Sequence, residues 1–419
     1  MAPARTLRVA VVARAVAPLH GVGGLERSVG DLVRHLAARG VAVTLITPPP
    51  RSAVAPASQD PFASPLITLR QVPYLTFPMA NRRGTTVLDR SSSYLLYGER
   101  AGRAAGALVD RGEADIVHGF GASVLGYARR SSRPAPLVLN PQGLEEFGAT
   151  LPRLPWAKRL GYAPLRWAVR RCARSASAIL ATDVALEPMV ARHLRPAPGQ
   201  VRVIPNGIDL AAVASLAGHA EGARLRRRYR VGDEEFVILS AGRLEHNKGV
   251  DVLAAALGLA AQPPGALAGL PWRWVIVGAG PGRRDLEAAV AAAGIGDRVV
   301  WAGRASDADL HAWYEAATLF AHPTRYEGSS LVTLEAMAHH LPVVATRAGG
   351  LPDKVRPAEN GWLVDPDDAG ALAGAVSEAV RARSSLRAMG AAGRAIVERE
   401  FSWARIVDAQ IALYEELLG

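Results

Sequence analysis

Two glutamates, Glu327 and Glu335, stand eight positions apart in the stretch 326-YEGSSLVTLEAM-337. Acids at that spacing suit three kinds of chemistry: an acid/base pair, a pair of grips on one ligand, or ordinary helix electrostatics. Ser329 and Ser330 are N-cap types ahead of an apolar run, so a helix begins between the glutamates. Glu327 then belongs to the loop feeding the helix, where negative charge is itself favourable. Glu335 falls two turns in, flanked by Leu334, Ala336 and Met337. On a solvated face it would be unremarked, but within apolar surroundings a carboxylate needs a partner, and ligand hydroxyls would serve. Eight helical steps leave the two side chains about 80° apart, so both could reach one elongated ligand.

A second cluster is 240-SAGRLEHNKG-249. A strand ends there, Gly242 frees the backbone, and Arg243 and Lys248 project from the loop before a helix. Two cations beside a helix N-terminus make an anion site, because their charges and the helix dipole add. A solvated basic loop is the bland alternative, and the strand-end position weighs against it. Glycines also follow strands at 21-GVGGLE-26 and 277-VGAGPG-282. Both would let amides approach a phosphate, yet neither is GxGxxG, and tight turns explain them nearly as well. His118 closes the strand 115-DIVHGF-120 and is expected to face a cleft, although a lone histidine is more often structural. Asn206 and Asp209 mark a turn in 201-VRVIPNGID-209.

These loops need strands and helices to hold them. The pattern predicts strands over 7–14, 41–47, 115–120, 136–140 and 178–183, with helices over 26–39 and near 92–111 and a Pro-rich loop over 48–65. It restarts after residue 209, with strands over 236–243, 273–278, 298–304, 319–325, 342–347 and 361–364 and helices between them. A C-terminal helix follows. Such βαβ alternation implies parallel sheets covered by helices on both faces. A chain of 419 residues exceeds one core, so two domains are expected, over 1–200 and 201–400. The helix of about 401–419 is expected to pack back on the first. Two Rossmann-like, doubly wound α/β domains place ligands at the carboxyl ends of their strands, in an interdomain cleft.

Cys172 is the sole cysteine, which excludes a disulfide framework and a cysteine metal site and suits a reducing compartment. The N-terminus reads as a buried strand rather than a signal peptide, since Arg14 breaks its apolar part. No apolar run approaches the roughly 20 residues that span a bilayer. The formal charge of +11 suits an anionic partner, or reflects a bias toward Ala, Arg, Gly and Pro. Clustering decides for 153-RLPWAKRLGYAPLRWAVRRCAR-174, with seven cations, no acid and interleaved Trp156, Tyr162 and Trp167. That composition fits an anionic membrane surface. The alternative is a helix packed on the first domain with a solvated basic face, interrupted by Pro155 and Pro164. No nucleic-acid module accompanies the charge, so no such partner is expected.

Segments 201-VRVIPNGID-209, 240-SAGRLEHNKG-249, 275-VIVGAGPG-282, 298-RVVWAGR-304 and 326-YEGSSLVTLEAMAHHLPVVATRAGGLPD-353, in this order, resemble the retaining GT-B glycosyltransferases of family 4. GVGGLE and the final FSW-initiated helix also fit. The rest of the first half is only loosely similar, as befits a part that binds a variable acceptor. The resemblance implies a GT-B fold and a nucleotide-diphosphate sugar held mainly by the second domain. By position it assigns Arg243 and Lys248 to the donor diphosphate, Glu335 to the ribose and Glu327 to the donor sugar. Gly328, Ser329, Ser330 and Leu331 would offer backbone amides. Gly23 and Gly24 would bring first-domain backbone to the diphosphate, and Gly303 and Arg304 would border the base. His118 matches a first-domain histidine, but relatives often carry a second one two positions later, where this chain has Phe120. The first-domain group that meets sugar or acceptor is therefore open, with Gln142, Glu145 and Glu146 as acceptor-side candidates.

The expected activity is metal-independent retaining transfer to a glycan, glycolipid, lipid-linked or metabolite acceptor, with no cofactor. Two matches to a DxD metal motif, 307-DAD-309 and within 365-DPDD-368, sit at helix starts and read as caps. The leaving group is a nucleoside diphosphate, so charge stabilisation is the main lever. One glutamate assigned to ribose weighs against a glycosidase-like pair. The expected location is cytoplasmic and peripheral on the inner face of the cell membrane. A nucleotide-dependent oxidoreductase reading VGAGPG as its fingerprint is the enzyme alternative, and an inactive sugar-nucleotide-binding scaffold the other.

Overall fold

The structure is a computed structural model that describes residues 6–21, 23–50, 62–75, 86–141, 144–148, 156–216 and 218–419. The chain forms two compact units, one of Met1–Asn206 with Trp403–Gly419 and one of Gly207–Ser402.

The first unit carries β1 (Arg8–Val12), β2 (Ala42–Thr47), β3 (Ile67–Gln71), β4 (Ile116–Phe120), β5 (Leu137–Asn140), β6 (Ala178–Ala181) and β7 (Val201–Val203). They form one parallel sheet in the order β3-β2-β1-β4-β5-β6-β7. Its helices are α1 (Gly24–Ala38), α2 (Thr86–Ser91), α3 (Ser93–Asp110), α4 (Leu125–Ala128), α5 (Trp156–Gly161), α6 (Ala163–Ser175) and α7 (Glu187–Leu194). The central strands are apolar on both faces because helices cover both. On α1, Val29, Leu32, Val33 and Leu36 make the buried stripe. The C-terminal helix Trp403–Leu418 shares that core through Trp403, Ile406, Val407 and Tyr414. Strand β3 was absent from the sequence reading. It is a five-residue edge strand with Thr68, Leu69 and Gln71 exposed, so it lacks the apolar run of its neighbours.

The second unit carries β8 (Phe236–Ala241), β9 (Trp272–Val277), β10 (Val299–Gly303), β11 (Leu319–His322), β12 (Val343–Thr346) and β13 (Gly361–Val364). These are again parallel, in the order β10-β9-β8-β11-β12-β13. Its helices are α8 (Leu210–Leu216), α9 (His219–Arg228), α10 (Val250–Ala261), α11 (Arg283–Ala292), α12 (Asp307–Ala316), α13 (Leu331–Ala338), α14 (Ala369–Arg381) and α15 (Leu386–Ile396). Strand order reverses between β1 and β4 in the first sheet and between β8 and β11 in the second. In doubly wound sheets ligands bind at the carboxyl ends of strands at such a reversal.

Candidate active site

The loops after β8 and β11 are tied to each other at the reversal of the second sheet. The Thr324 hydroxyl and the Arg325 N–H both donate to the Asn247 carbonyl, each at 2.8 Å. Gly249 sits at φ +63°, and a Cβ there would lie 1.9 Å from the Pro323 carbonyl, so only glycine fits. Arg325 clamps the arrangement. Its guanidinium donates to both Asp251 oxygens, at 2.8 and 2.7 Å, and its Nε to Asp367 at 2.6 Å.

This tie brings Lys248 and Glu327 together. The Lys248 ammonium donates to Glu327 Oε2 at 2.7 Å, and His322 Nε2 lies 2.8 Å from the same oxygen. Burial alone would raise the Glu327 carboxyl. The His322 hydrogen bond and the Lys248 charge outweigh burial and hold its pKa down at about 2. Burial pushes His322 below the usual histidine range, with Glu327 pulling the other way. His322 is therefore the neutral donor and Glu327 the ionised acceptor. Arg243, 76 % exposed, pairs with Glu245 at 2.5 Å. Arg243, Lys248 and His322 line one recess with Ser240, Gly242 and Pro323.

Helix α13 starts beside this pair. Of the two serines expected to cap it, Ser330 occupies the N-cap position but makes no side-chain cap bond. Its hydroxyl instead lies 2.9 Å from the Thr333 hydroxyl and 3.4 Å from His322 Nε2. The first N–H groups of the helix have no intrahelical acceptor, which suits an anion. Gly328 is held by the next loop, where Gly350 N–H donates to its carbonyl at 3.2 Å. A Cβ on Gly349 would lie 1.7 Å from the Glu327 carbonyl. The fully buried Lys354 ammonium donates to the Gly350 carbonyl at 3.1 Å. Glu335 is not on a solvated face: it is 6 % exposed, and Tyr314 OH donates to its Oε2 at 2.9 Å. The partner that its apolar neighbours demanded is thus partly supplied by the protein.

The glycines of VGAGPG serve packing. A Cβ on Gly278 would lie 1.8 Å from the Gly242 carbonyl, and one on Gly280 2.3 Å from that of Leu244. Gly278 N–H donates to the Gly303 carbonyl at 2.7 Å, which sets the exposed Arg304 beside this loop. In the DAD stretch the cap is Ser306, which accepts from Asp309 N–H, while the Asp309 carboxylate pairs with Arg224 at 2.7 Å. In DPDD, Asp368 caps α14 by accepting from Ala371 N–H, and Asp367 pairs with Arg325.

Two family descriptions match the chain, Glycosyltransferase Family 4 over residues 22–212 and Glycosyl transferases group 1 over residues 223–396. The chain belongs to the family 4 glycosyltransferases. A D-inositol 3-phosphate glycosyltransferase of Acidothermus cellulolyticus is 29% identical over all of this chain and 92% of its own length. A GDP-mannose-dependent alpha-(1-6)-phosphatidylinositol monomannoside mannosyltransferase of Mycobacterium tuberculosis is 35% identical, over 44% of this chain and 48% of its own. Among solved structures, the sucrose-phosphate synthase of Thermosynechococcus elongatus superposes with a TM-score of 0.75 at 24% identity, covering 98% of this chain and 99% of that one. The fold is GT-B.

In this glycosyltransferase the first-unit candidates fare differently from the second-unit ones. His118 does not face a cleft. It is 1 % exposed, its Nδ1 lies 2.6 Å from Tyr414 OH of the C-terminal helix, and its ring stacks on Phe120 at 4.9 Å. Burial lowers its pKa to about 3, so the ring is neutral. Gly23 is the N-cap of α1 and Gly24 its first residue. Asn206 accepts from the Ser28 hydroxyl at 2.6 Å, and Asp209 Oδ1 accepts from the N–H groups of Ala211 and Ala212. Glu146 is buried. Gln142 and the side chain of Glu145 lie outside the described residues. The sequence reading missed His322, Arg325, Tyr314 and Lys354. Only His322 left a signal, a polar residue closing an otherwise apolar strand five positions before Glu327.

Proposed function

We propose that this glycosyltransferase moves a sugar from a nucleotide-diphosphate donor to a hydroxyl of a glycan, glycolipid or metabolite, with retention and without a metal. The observation that carries this reading is the interlock of Lys248 and His322 on one oxygen of Glu327, at the carboxyl ends of β8 and β11. Breaking the anomeric C–O bond leaves charge on the diphosphate. Lys248, Arg243 and the amides of Gly328, Ser329, Ser330 and Leu331 stabilise that charge. Glu327 stays ionised, and its Oε1 accepts from donor-sugar hydroxyls. Glu335 takes the ribose hydroxyls, Gly303 and Arg304 border the base, and Gly23 and Gly24 approach the diphosphate from the first unit. The anomeric carbon loses its phosphate oxygen and gains the acceptor oxygen on the same face, through an oxocarbenium-like state. The acceptor proton passes to the departing phosphate, so the protein supplies no covalent nucleophile. The GDP-mannose dependence named for the mycobacterial relative supports the donor class. The use of Asp309, Asp367 and Asp368 in ion pairs and a helix cap supports metal independence.

The test is nucleotide binding and transfer by Lys248→Ala and Glu335→Ala. Each is expected to bind UDP or GDP at least about tenfold more weakly while still folding, as loss of a charged hydrogen bond implies. Transfer by the wild type is expected to survive EDTA. Full donor binding and transfer by both variants would sink the assignment.

The first unit also has a surface suited to anionic lipid. Helix α5 buries none of its residues. Trp156, Leu160 and Trp167 are 76%, 64% and 53% exposed. Beside them stand Lys158, Arg159, Arg171 and Arg174. Arg166 and Arg170 are less free, since they donate to the carbonyls of Glu146 and His193. Among the described residues no helix is long and apolar enough to cross a membrane, so the association would be peripheral. Cosedimentation with anionic vesicles is expected to fall when Lys158, Arg159, Arg171 and Arg174 become Gln. Unchanged binding counts against the surface.

A further inference from the structure

Glu335 is backed by buried polar side chains that have no task in the transfer chemistry. On α12, His311, Tyr314 and Glu315 stand at i, i+3 and i+4 and share one face. On α13 and its C-cap, Glu335 and His339 stand at i and i+4 and do the same. The two faces meet. Tyr314 OH donates to Glu335 Oε2 at 2.9 Å, and the Val332 carbonyl is the more distant acceptor at 3.3 Å. His339 Nδ1 lies 2.6 Å from Glu315 Oε1, and its Nε2 lies 2.8 Å from His311 Nδ1. The His339 hydrogen bond holds the Glu315 carboxyl below its ordinary range, so the proton between them sits on His339. His339 is thus fixed at both nitrogens, and it fixes Tyr314 in turn. The two rings stack at 5.5 Å with 17° between their planes. His311 and Phe320 close the Tyr314 ring edge-on, at 5.7 and 5.8 Å. Tyr314 is fully buried, so this cage decides where its hydroxyl points.

We infer that Tyr314 is a positioning residue for ribose recognition. By holding one oxygen of Glu335 it sets the carboxylate before the nucleotide arrives, and so fixes the preference of the donor site for a ribonucleotide over its deoxy form. The inference rests on the assignment of Glu335 to the ribose in the reading above. A glutamate side chain is long, and ordering it on binding costs affinity. A carboxylate already oriented loses less when ribose hydroxyls donate to it. A ligand lacking one of those hydroxyls leaves a buried acceptor short of a donor. That loss counts in full only when the acceptor cannot turn away. Tyr314 therefore bears on selectivity for the sugar of the nucleotide more than on affinity for its phosphates.

The test compares UDP with 2′-deoxy-UDP and 3′-deoxy-UDP, and the matching guanine nucleotides, by calorimetry on the intact protein. A ratio of affinities does not depend on the fraction of protein that is folded. The wild type is expected to prefer the ribonucleotide at least about tenfold, the scale of a charged hydrogen-bonded contact. Tyr314→Phe keeps the ring stack and loses the hydroxyl. It is expected to shrink that preference about fivefold, chiefly by weakening the ribonucleotide, and to raise the donor KM more than it lowers kcat. Glu335→Gln is expected to erase the preference, and adding Tyr314→Phe to it to change the ratio no further. The inference is overturned if Tyr314→Phe keeps the full preference while Glu335→Gln loses it, an outcome that leaves the ribose assignment standing. It is overturned equally if Tyr314→Phe weakens ribo and deoxy forms alike, the mark of a merely structural tyrosine, or if it still shifts the ratio in the Glu335→Gln background. A full preference in Glu335→Gln itself would remove the ribose assignment, and the inference with it.

Discussion

Both sheets reverse strand order at an equivalent place, yet the two places are furnished differently. At the end of β8 and β11, charges are locked to one another: Lys248 and His322 on Glu327, and Arg325 on Asp251 and Asp367. At the end of β1 and β4, the strand histidine is turned into the core and neutral, and Arg14 lies over an aromatic ring. The second unit has fixed its charges in advance, as stabilising a leaving group requires. The first has used its buried polar group for packing. A histidine at a strand end is therefore no guide to chemistry until the helix covering it is known.

The largest expected effect is at Glu327. Glu327→Gln is expected to lower kcat by roughly 10²-fold, the scale of losing a preorganised electrostatic contact. It also tests the interlock through pH. The Glu327 pKa is held at about 2 in the folded chain, below its ordinary value of 4.5. Between those values the unfolded chain takes up a proton that the folded chain refuses. The stabilisation is thus complete above pH 4.5 and is lost as pH falls toward 2, on the order of 3 kcal/mol in all. The gap in unfolding free energy between wild type and Glu327→Gln should narrow over that window. A gap independent of pH would mean that Lys248 and His322 do not hold the carboxylate.

The first unit should respond at a different pH. The folded His118 pKa is about 3 against an ordinary 6.5. Below pH 6.5 the unfolded chain gains a proton there and the folded chain does not, so stability falls with pH. The loss attributable to His118 is roughly 2 kcal/mol by pH 5, measured as the difference in slope between wild type and His118→Gln. His322 is also depressed, but Glu327 opposes the shift. By NMR, the His118 ring should stay neutral down to about pH 4. A titration near 6.5, or a limb of the pH–rate profile removed by His118→Gln, would restore His118 to the chemistry.

The two regions also differ in how far the sequence announced them. The second-unit strands are apolar runs, and Arg243, Lys248, Glu327 and Glu335 stand at strand ends or helix starts where local pattern places them. What pattern could not carry was pairing across 79 residues, the distance in sequence from Lys248 to Glu327. Nor could it carry the clamp of Arg325 on Asp251 and Asp367, or the buried Tyr314 that partners Glu335. These depend on which loops the sheet order brings side by side. The first-unit site was less legible still. The orientation of His118 is decided by Tyr414, 296 residues away, and Arg14 looked only like an interruption in an apolar strand. The edge strand β3 escaped because its residues are mostly exposed.

The smallest effect expected is the cleanest test of that division. Tyr414→Phe removes the hydroxyl that is hydrogen-bonded to His118 Nδ1 at 2.6 Å. His118 Nε2 is already buried without a partner among the described residues, so both ring nitrogens would then be unsatisfied. The expected cost is about 1–2 kcal/mol in urea unfolding, with kcat and nucleotide binding unchanged. Replacing His118 as well, as His118→Phe with Tyr414→Phe, removes both ends of the bond and should recover much of the loss, because two apolar partners leave nothing unsatisfied. The cycle distinguishes a packing contact from a catalytic one. A packing contact gives stability losses that cancel in the double variant and activity that never moves. If Tyr414→Phe instead lowers kcat by more than its stability loss explains, and the double variant lowers it further, then the buried histidine of the first unit reaches the reaction after all.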